Sequence, residues 1–206
     1  MAKTEIPPIA IDLDGGTDIG AAIVDADLFL IDDGAGGTMR KTAASRIKTY
    51  IGITEADQWR ITSNFTASSG DNVLNSNWER DDQGAFDKLG TGMSESSGIF
   101  SFPSTGYWFI TGNSTHYKSA GYEYATNRLY ATVDNSNYAS VAASAQGSAG
   151  TGTGYSASGF QFIFDVENIT NCKVKFHVET STADVVFMGN TDENWTWLNF
   201  IRLGDT

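Results

Sequence analysis

A single cysteine, Cys172, stands in the 206 residues, so no disulfide can close within the chain and no thiolate cluster can hold a metal. Histidine is almost as scarce: His116 and His177 are the two present, and neither lies in a local ligand or nucleophile motif. Cations are in the minority, 13 Lys and Arg against 25 Asp and Glu, for a net charge of −12. That balance argues against nucleic acid or an anionic membrane as a partner, because phosphate rewards the opposite sign. No stretch of about 18 apolar residues occurs, and the opening MAKTEIPPIAIDLDGG has no charged head followed by an apolar segment. The expectation is a soluble protein without membrane insertion or a secretory address, in which the sequons at Asn64, Asn113, Asn168 and Asn194 go unused.

Aromatic residues are nearly missing from the first quarter. Phe29 and Tyr50 alone precede Trp59, although aromatics make up 12% of the chain. The shift sets an expected boundary, with residues 1–58 as a connector or attachment segment and 59–206 as a head. A segment that short, without metal or disulfide, rarely closes a core by itself. Its missing burial has to come from the head, from sister chains or from a host particle.

What is abundant after Trp59 is strand. In GFQFIFDV, Phe160, Phe162, Phe164 and Val166 share one face, and Gln161, Ile163 and Asp165 share the other. In KVKFHVE, Val174, Phe176 and Val178 face in, while Lys173, Lys175, His177 and Glu179 face out. Further strands are expected in WRITSNFTA, GIFSFP, GYWFITG, RLYATVD, DVVFMG and WTWLNFIRL, separated by Gly, Asn, Asp and Ser clusters. So many short strands point to an all-β antiparallel sandwich or jelly roll, preceded by a small mixed connector. Two strands break the alternation. Tyr107, Trp108, Phe109 and Ile110 are apolar on both faces, and Trp195, Trp197 and Ile201 oppose Leu198 and Phe200. A second apolar face needs a cover, either another copy or the N-terminal segment, and periodicity does not choose between them. Another copy would dock on Tyr107, Phe109, Trp195, Trp197 and Phe200.

The run LIDDGAGGTMRKTAASRIKTYIG, Leu30 to Gly52, looks at first like a phosphate-cradling loop. A Walker loop needs GxxxxGK[ST], and no lysine stands in place; the dinucleotide pattern GxGxxG puts Met39 where its last glycine belongs. Asp32 and Asp33 would repel a phosphate. A glycine turn followed by a helix over about 39–51 fits better, with Thr38 as N-cap, an apolar stripe of Met39, Ala43, Ile47, Tyr50 and Ile51, and Gly52 as C-cap. Its other face carries Arg40, Lys41, Arg46 and Lys48, whereas Glu5, Asp12, Asp14, Asp18, Asp25, Asp27, Asp32 and Asp33 precede it. Such segregated charge suits pairing within the segment or between copies, or a plain solvated face. A helix of that length is marginal alone and has to dock.

Metal and catalytic motifs are thin. Asp12-x-Asp14-Gly15-Gly16 opens like an EF-hand loop, but Gly16 takes the third acidic position and no glutamate closes it. An irregular cation site at Asp32/Asp33 or Asp81/Asp82 competes with ordinary turn aspartates, and nothing nominates a pair of catalytic carboxylates. No cofactor and no enzymatic activity are expected. Six of the eight tyrosines are more informative: Tyr117, Tyr122, Tyr124, Tyr130, Tyr138 and Tyr155 are interleaved with Asn, Ser, Arg128 and QGSAGTGTGYSASG. Flat amphipathic rings beside adaptable small polar residues are the chemistry of surfaces that recognise sugars or proteins, though core or subunit packing also consumes tyrosines.

GIFSFPSTGYWFI resembles the complement-type globular head, the tumour-necrosis-factor-like jelly roll. Phe100, Pro103 and Gly106 keep that family's spacing, with Trp108 where it usually has Tyr and Ile110 where it usually has Phe. SASGFQFIFDV and WTWLNFIRL resemble its late strands. The chain as a whole resembles bacteriophage virion proteins of the tail-fibre type, marine and cyanobacterial ones among them, in ADLFLIDDGAGGTMRKTAASRIKTYIG, GTGMSESSGIFSFPSTG and the terminal FIRLGDT. The resemblance implies a homotrimeric virion protein, its N-terminal segment joined to other virion proteins and its head projecting. The head would grip a host-surface glycan or protein through the Tyr117 to Gly159 loops, as a tail fibre does. The alternatives are a capsid-exterior head fibre or decoration protein docked on the major capsid protein, and a non-viral carbohydrate-binding module.

Overall fold

The computed structural model describes residues 22–32, 39–81, 84 and 87–206, and all their side chains but those of 32, 39 and 48–51. The chain forms two compact units, Met1–Gly52 and Ile53–Thr206. In the first, β1 (Leu28–Asp32) pairs antiparallel with β2 (Met39–Ala43), in register from Leu28 opposite Ala43 to Asp32 opposite Met39. Helix α1 (Ala44–Ile51) follows directly, and the Ala44 N–H donates to the Asp27 carbonyl at 2.8 Å.

The expected helix over 39–51 is therefore half strand. Met39, Arg40, Lys41 and Ala43 lie in β2, because pairing with the apolar LFLID strand satisfies their backbone groups across the hairpin. Arg46, Ile47, Tyr50 and Ile51 stay on the helix, with Arg46 exposed and Ile47 half-buried. Thr38, the Gly34 to Gly37 turn, Asp33, Asp82 and the acidic positions Glu5, Asp12, Asp14 and Asp18 lie outside the described residues, as do the side chains of Asp32, Met39, Lys48, Tyr50 and Ile51.

The second unit opens at β3 (Ala56–Ile61), ahead of Trp59 where the aromatics begin. It continues through β4 (Phe65–Ala67), β5 (Gly70–Val73), β6 (Trp78–Arg80), β7 (Ser94–Ser96) and β8 (Ile99–Ser101). The long strands come next: β9 (Gly106–Lys118), β10 (Tyr122–Thr132), β11 (Ala139–Ser148), β12 (Gly154–Val166) and β13 (Lys173–Thr180). Then β14 (Val185–Phe187) and β15 (Thr196–Gly204) complete it. WRITSNFTA is two strands rather than one, since the chain bends at Thr62 and Ser63 and β4 joins β14. The tyrosine-rich stretch expected as loops is mostly strand, β9 to β12.

Two antiparallel sheets face each other as a jelly roll. In the seven-stranded sheet β9 is central: β12 runs along one of its edges, β15 and then β14 along the other, with β3 and β6 beyond β15 and β4 beyond β14. In the six-stranded sheet β13 is central, with β10 and β11 on one side and β8 with β7, then β5, on the other. Alternation sends Trp108, Ile110, Phe160, Phe164, Leu198 and Phe200 inward from the first sheet, against Phe100, Leu129, Val174, Phe176 and Val178 of the second. Phe100 makes edge contacts with Trp59 at 5.6 Å and Trp78 at 5.1 Å, an arrangement that suits ring quadrupoles. Gly112 is required here, since a Cβ would stand 2.5 Å from the Phe160 ring and 2.8 Å from Leu198. Gly106 of the FPSTG turn is required too, with φ of +130° and a Cβ position 2.2 Å from the Gly204 carbonyl.

Beyond Gly112 the interior turns polar. Ser114, His116, Asn127 and Thr196 are fully buried, the Ser114 hydroxyl donates to Asn127 Oδ1 at 2.5 Å, and Asn127 Nδ2 donates to the Ser158 carbonyl. Burial holds the His116 imidazole below its ordinary value of 6.5, outweighing backbone hydrogen bonds that act the other way. At the opposite end Asp57 ties the edge of the sandwich. Its carboxylate accepts from Arg80 Nε at 2.9 Å and Nη2 at 3.0 Å, from Trp59 Nε1 at 2.9 Å and from the Met93 N–H at 2.7 Å. The Arg80 guanidinium also lies 4.7 Å from the centre of the Trp59 ring.

Candidate functional site

The two sheets turn different chemistry outward. On the seven-stranded sheet the odd positions of β9 point away from the core, and the registers set Phe109 between Ile163 of β12 and Ile201 of β15. Tyr107 and Ile163 are 42% and 56% exposed, and Phe109, Trp197 and Ile201 are half-buried around them. Tyr107, Phe109 and Trp197 thus share the face expected of them. Trp195 precedes β15, half-buried, its carbonyl accepting from the Thr115 N–H at 3.0 Å. Phe200 does not belong to this face: it is fully buried, its ring 5.4 Å from that of Phe100. The strand is apolar on both sides, and pairing with β9 turns Leu198 and Phe200 inward together.

The same face carries a cation with no exposure to speak of. Arg60 is 2% exposed and pairs with Glu79 at 3.0 Å and Asp81 at 3.1 Å. Asp81, weighed above as a cation ligand, is therefore turned onto an arginine. Farther along, the Tyr117 and Tyr155 rings lie 5.1 Å apart, with Tyr155 63% exposed. These two tyrosines sit with the apolar face and away from the other recognition residues. Beside them runs a side of the sandwich without charge: residues 139–164, which include all of β11 and most of β12, contain no Asp, Glu, Lys or Arg. Among the described residues β11 pairs only with β10, and β12 only with β9.

The six-stranded sheet presents a polar and aromatic patch. Arg128 lies opposite His177 in register and is ion-paired to Glu179. The Tyr130 ring stacks on the His177 ring at 4.1 Å, and His177 Nδ1 lies 2.8 Å from Asp71 Oδ2. The Lys175 ammonium stands 3.8 Å above the Tyr138 ring, and burial pushes the Tyr138 hydroxyl above its ordinary 10.0. Three residues expected for recognition, Arg128, Tyr130 and Tyr138, are thus brought together. Tyr124 lies at the far end of β10, 37% exposed, its N–H donating to Ser181 Oγ at 3.3 Å. Tyr122 is corrected to a core residue, 5% exposed and edge-on to His116, because the β10 ladder turns it between the sheets.

Lys175, His177 and Glu179 join the patch, as their alternation in KVKFHVE allowed, but nothing local announced Asp71. His177 was expected to face solvent; it faces outward and is yet covered, because Tyr130 and Asp71 close over it. The patch offers π faces, hydrogen-bond donors of both charged and neutral kinds, and two carboxylates. A cavity of about 240 Å³ lies elsewhere, lined by residues including Asp57, Asp87, Leu89 and Ile201, and no tyrosine lines it.

No protein-family model and no curated protein sequence matches the chain. Solved structures do. The chain is similar to murine APRIL at pH 5.0, with 9% identity and a TM-score of 0.54 over 72% of this chain and 98% of that one. It is similar also to the Eiger TNF of S. frugiperda, with 11% identity and a TM-score of 0.55 over 75% of this chain and 96% of that one. At such identities the likeness is one of fold: the head is a TNF-type jelly roll, as GIFSFPSTGYWFI led us to expect.

Proposed function

We propose that the chain is a structural protein of a bacteriophage particle, a non-enzymatic homotrimeric appendage on the virion surface. Its N-terminal unit attaches to other virion proteins, and its jelly-roll head projects for host-surface recognition. One observation carries the trimer: the outward face with Tyr107, Phe109, Ile163, Trp197 and Ile201 runs into a charge-free side, residues 139–164, made by β12 of the same sheet and β11 of the other. A contact between such unlike surfaces closes into a ring when the rotation between copies is a third of a turn. The phage assignment rests on the resemblance of the N-terminal run and of FIRLGDT to fibre proteins. The patch of Arg128, Tyr130, Tyr138 and Lys175 fits a glycan or protein ligand, because aromatic faces and charged donors are the groups such ligands meet.

A second reading, a capsid-exterior head fibre or decoration protein, is favoured by the first unit, whose Leu28 and Leu30 are more than half exposed and call for cover. Native mass should give three chains, and a stable monomer refutes the trimer. Deleting residues 1–52 should abolish incorporation into particles while the head stays folded. Purified head that competes with phage for adsorption supports the recognition role; failure to compete, with incorporation intact, supports decoration.

A further inference from the structure

The hairpin of the first unit presents apolar side chains that nothing among the described residues covers. Leu28 and Leu30, 60% and 55% exposed, share one face of β1, with Ala43 and Lys41 opposite them on β2. A two-stranded hairpin is marginal in water, and a helix of eight residues adds little independent stability. Charge along the unit is segregated: Asp25 and Asp27 precede β1, whereas the exposed Lys41 and Arg46 lie on β2 and α1. A second copy of the hairpin therefore offers leucines to leucines, and an acidic strand end to a basic one. The tether is short as well. Residues 52–55 alone separate α1 from β3, a reach of no more than about 18 Å when extended. Heads that assemble would hold their hairpins at effective concentrations on the order of millimolar.

We propose that the hairpins of three chains pack on one another through the Leu28 and Leu30 face, with the acidic end of β1 in one copy beside Lys41 of the next. The partner of this face is a second copy of the chain, and the contact closes the base of the appendage. The inference rests on the trimeric reading of the head, and the test separates the two. Cys172 is buried, so the unaltered chain gives a background without accessible thiols. Full-length Leu28→Cys and, independently, Leu30→Cys are measured by native mass and then mildly oxidised, with Val133→Cys, 67% exposed on the head, as control.

The expected result is a trimer in which two of the three chains become disulfide-linked at a rate independent of protein concentration, while the Val133→Cys chains link only by collision. A trimer whose Leu28→Cys and Leu30→Cys thiols stay unlinked and react freely with a maleimide overturns the proposal, leaves the trimer standing and gives the face to another protein of the particle. A monomer by native mass refutes the trimeric reading first, and this inference with it.

Discussion

Replacing Asp57 by alanine removes the acceptor on which one edge of the sandwich converges. Among the described residues Arg80 would keep the Met93 carbonyl, at 2.5 Å, and the face of the Trp59 ring, and Trp59 Nε1 and the Met93 N–H would lose their acceptor. Breaking a buried ion pair by deleting one partner costs about 3–5 kcal/mol, since the surviving charge is left uncompensated. The Asp57 side chain is fully buried, but that of Arg80 is 24% exposed and keeps some hydration, so the low end of that range applies. About 3 kcal/mol lowers Tm by roughly 6–12 °C in a domain of this size. The assay is urea and thermal unfolding of the full chain for Asp57→Ala, Arg80→Ala and the double variant. Because the orphaned guanidinium is part of the cost, the double variant should be less destabilised than the two singles summed, by a coupling of about 1–3 kcal/mol. A cost for Asp57→Ala below about 1 kcal/mol, with the singles adding, would show that the cluster is hydrated and does not hold the edge.

Ile163→Arg, on the apolar outward face, should leave far-UV circular dichroism unchanged and dissociate the trimer by native mass; a trimer that tolerates it moves the interface elsewhere. Phe200→Ala should do the opposite, costing about 3–5 kcal/mol in unfolding experiments through the cavity it leaves between the sheets. His116 gives a pH dependence whose sign follows from its lowered pKa. Above 6.5 the imidazole is neutral in both folded and unfolded chains and contributes nothing. As pH falls below 6.5 the unfolded chain binds the proton first, and stability is lost at up to about 1.4 kcal/mol per pH unit until the folded-state value is passed. His116→Gln should flatten the fall in stability between pH 6.5 and 5, and identical slopes for the two proteins refute the assignment.

How much of this was legible depends on whether the pattern had one reading or two. KVKFHVE and GFQFIFDV alternate cleanly, and β13 and β12 face as their residues say. YWFI at 107–110 and WTWLNFIRL are apolar at every step or nearly so, and there alternation alone names two faces without saying which is inside. The β15 to β9 register settles that, and it put Phe200 with Phe100 instead of with Trp197. MRKTA carries a helical stripe and few strand formers, yet pairs with LFLID, because an unpaired backbone beside an apolar strand costs more than a weak propensity. ASVAASAQGS carries no strand signal, because alanine and serine have too little apolar area to mark an inside, and yet it forms a ten-residue strand.

The polar and aromatic patch was half legible for a different reason. Tyr130, Tyr138 and Arg128 could be chosen by residue type, but Asp71 reaches His177 across 106 positions of sequence, through the pairing of β5 with β13. Charge then separates the two outward faces. Paired β9 and β12 carry one charged side chain on theirs, Asp165, at the end of the register. The outward side of β10 and β13 carries Arg128, Lys173, Lys175, His177 and Glu179. Burying that set against a neighbour would desolvate several charges, at several kcal/mol for each ion left imperfectly paired. On the trimeric reading proposed above, a neighbouring chain would cover the β9 and β12 side, which gains from losing water, and would leave the charges of the six-stranded face hydrated.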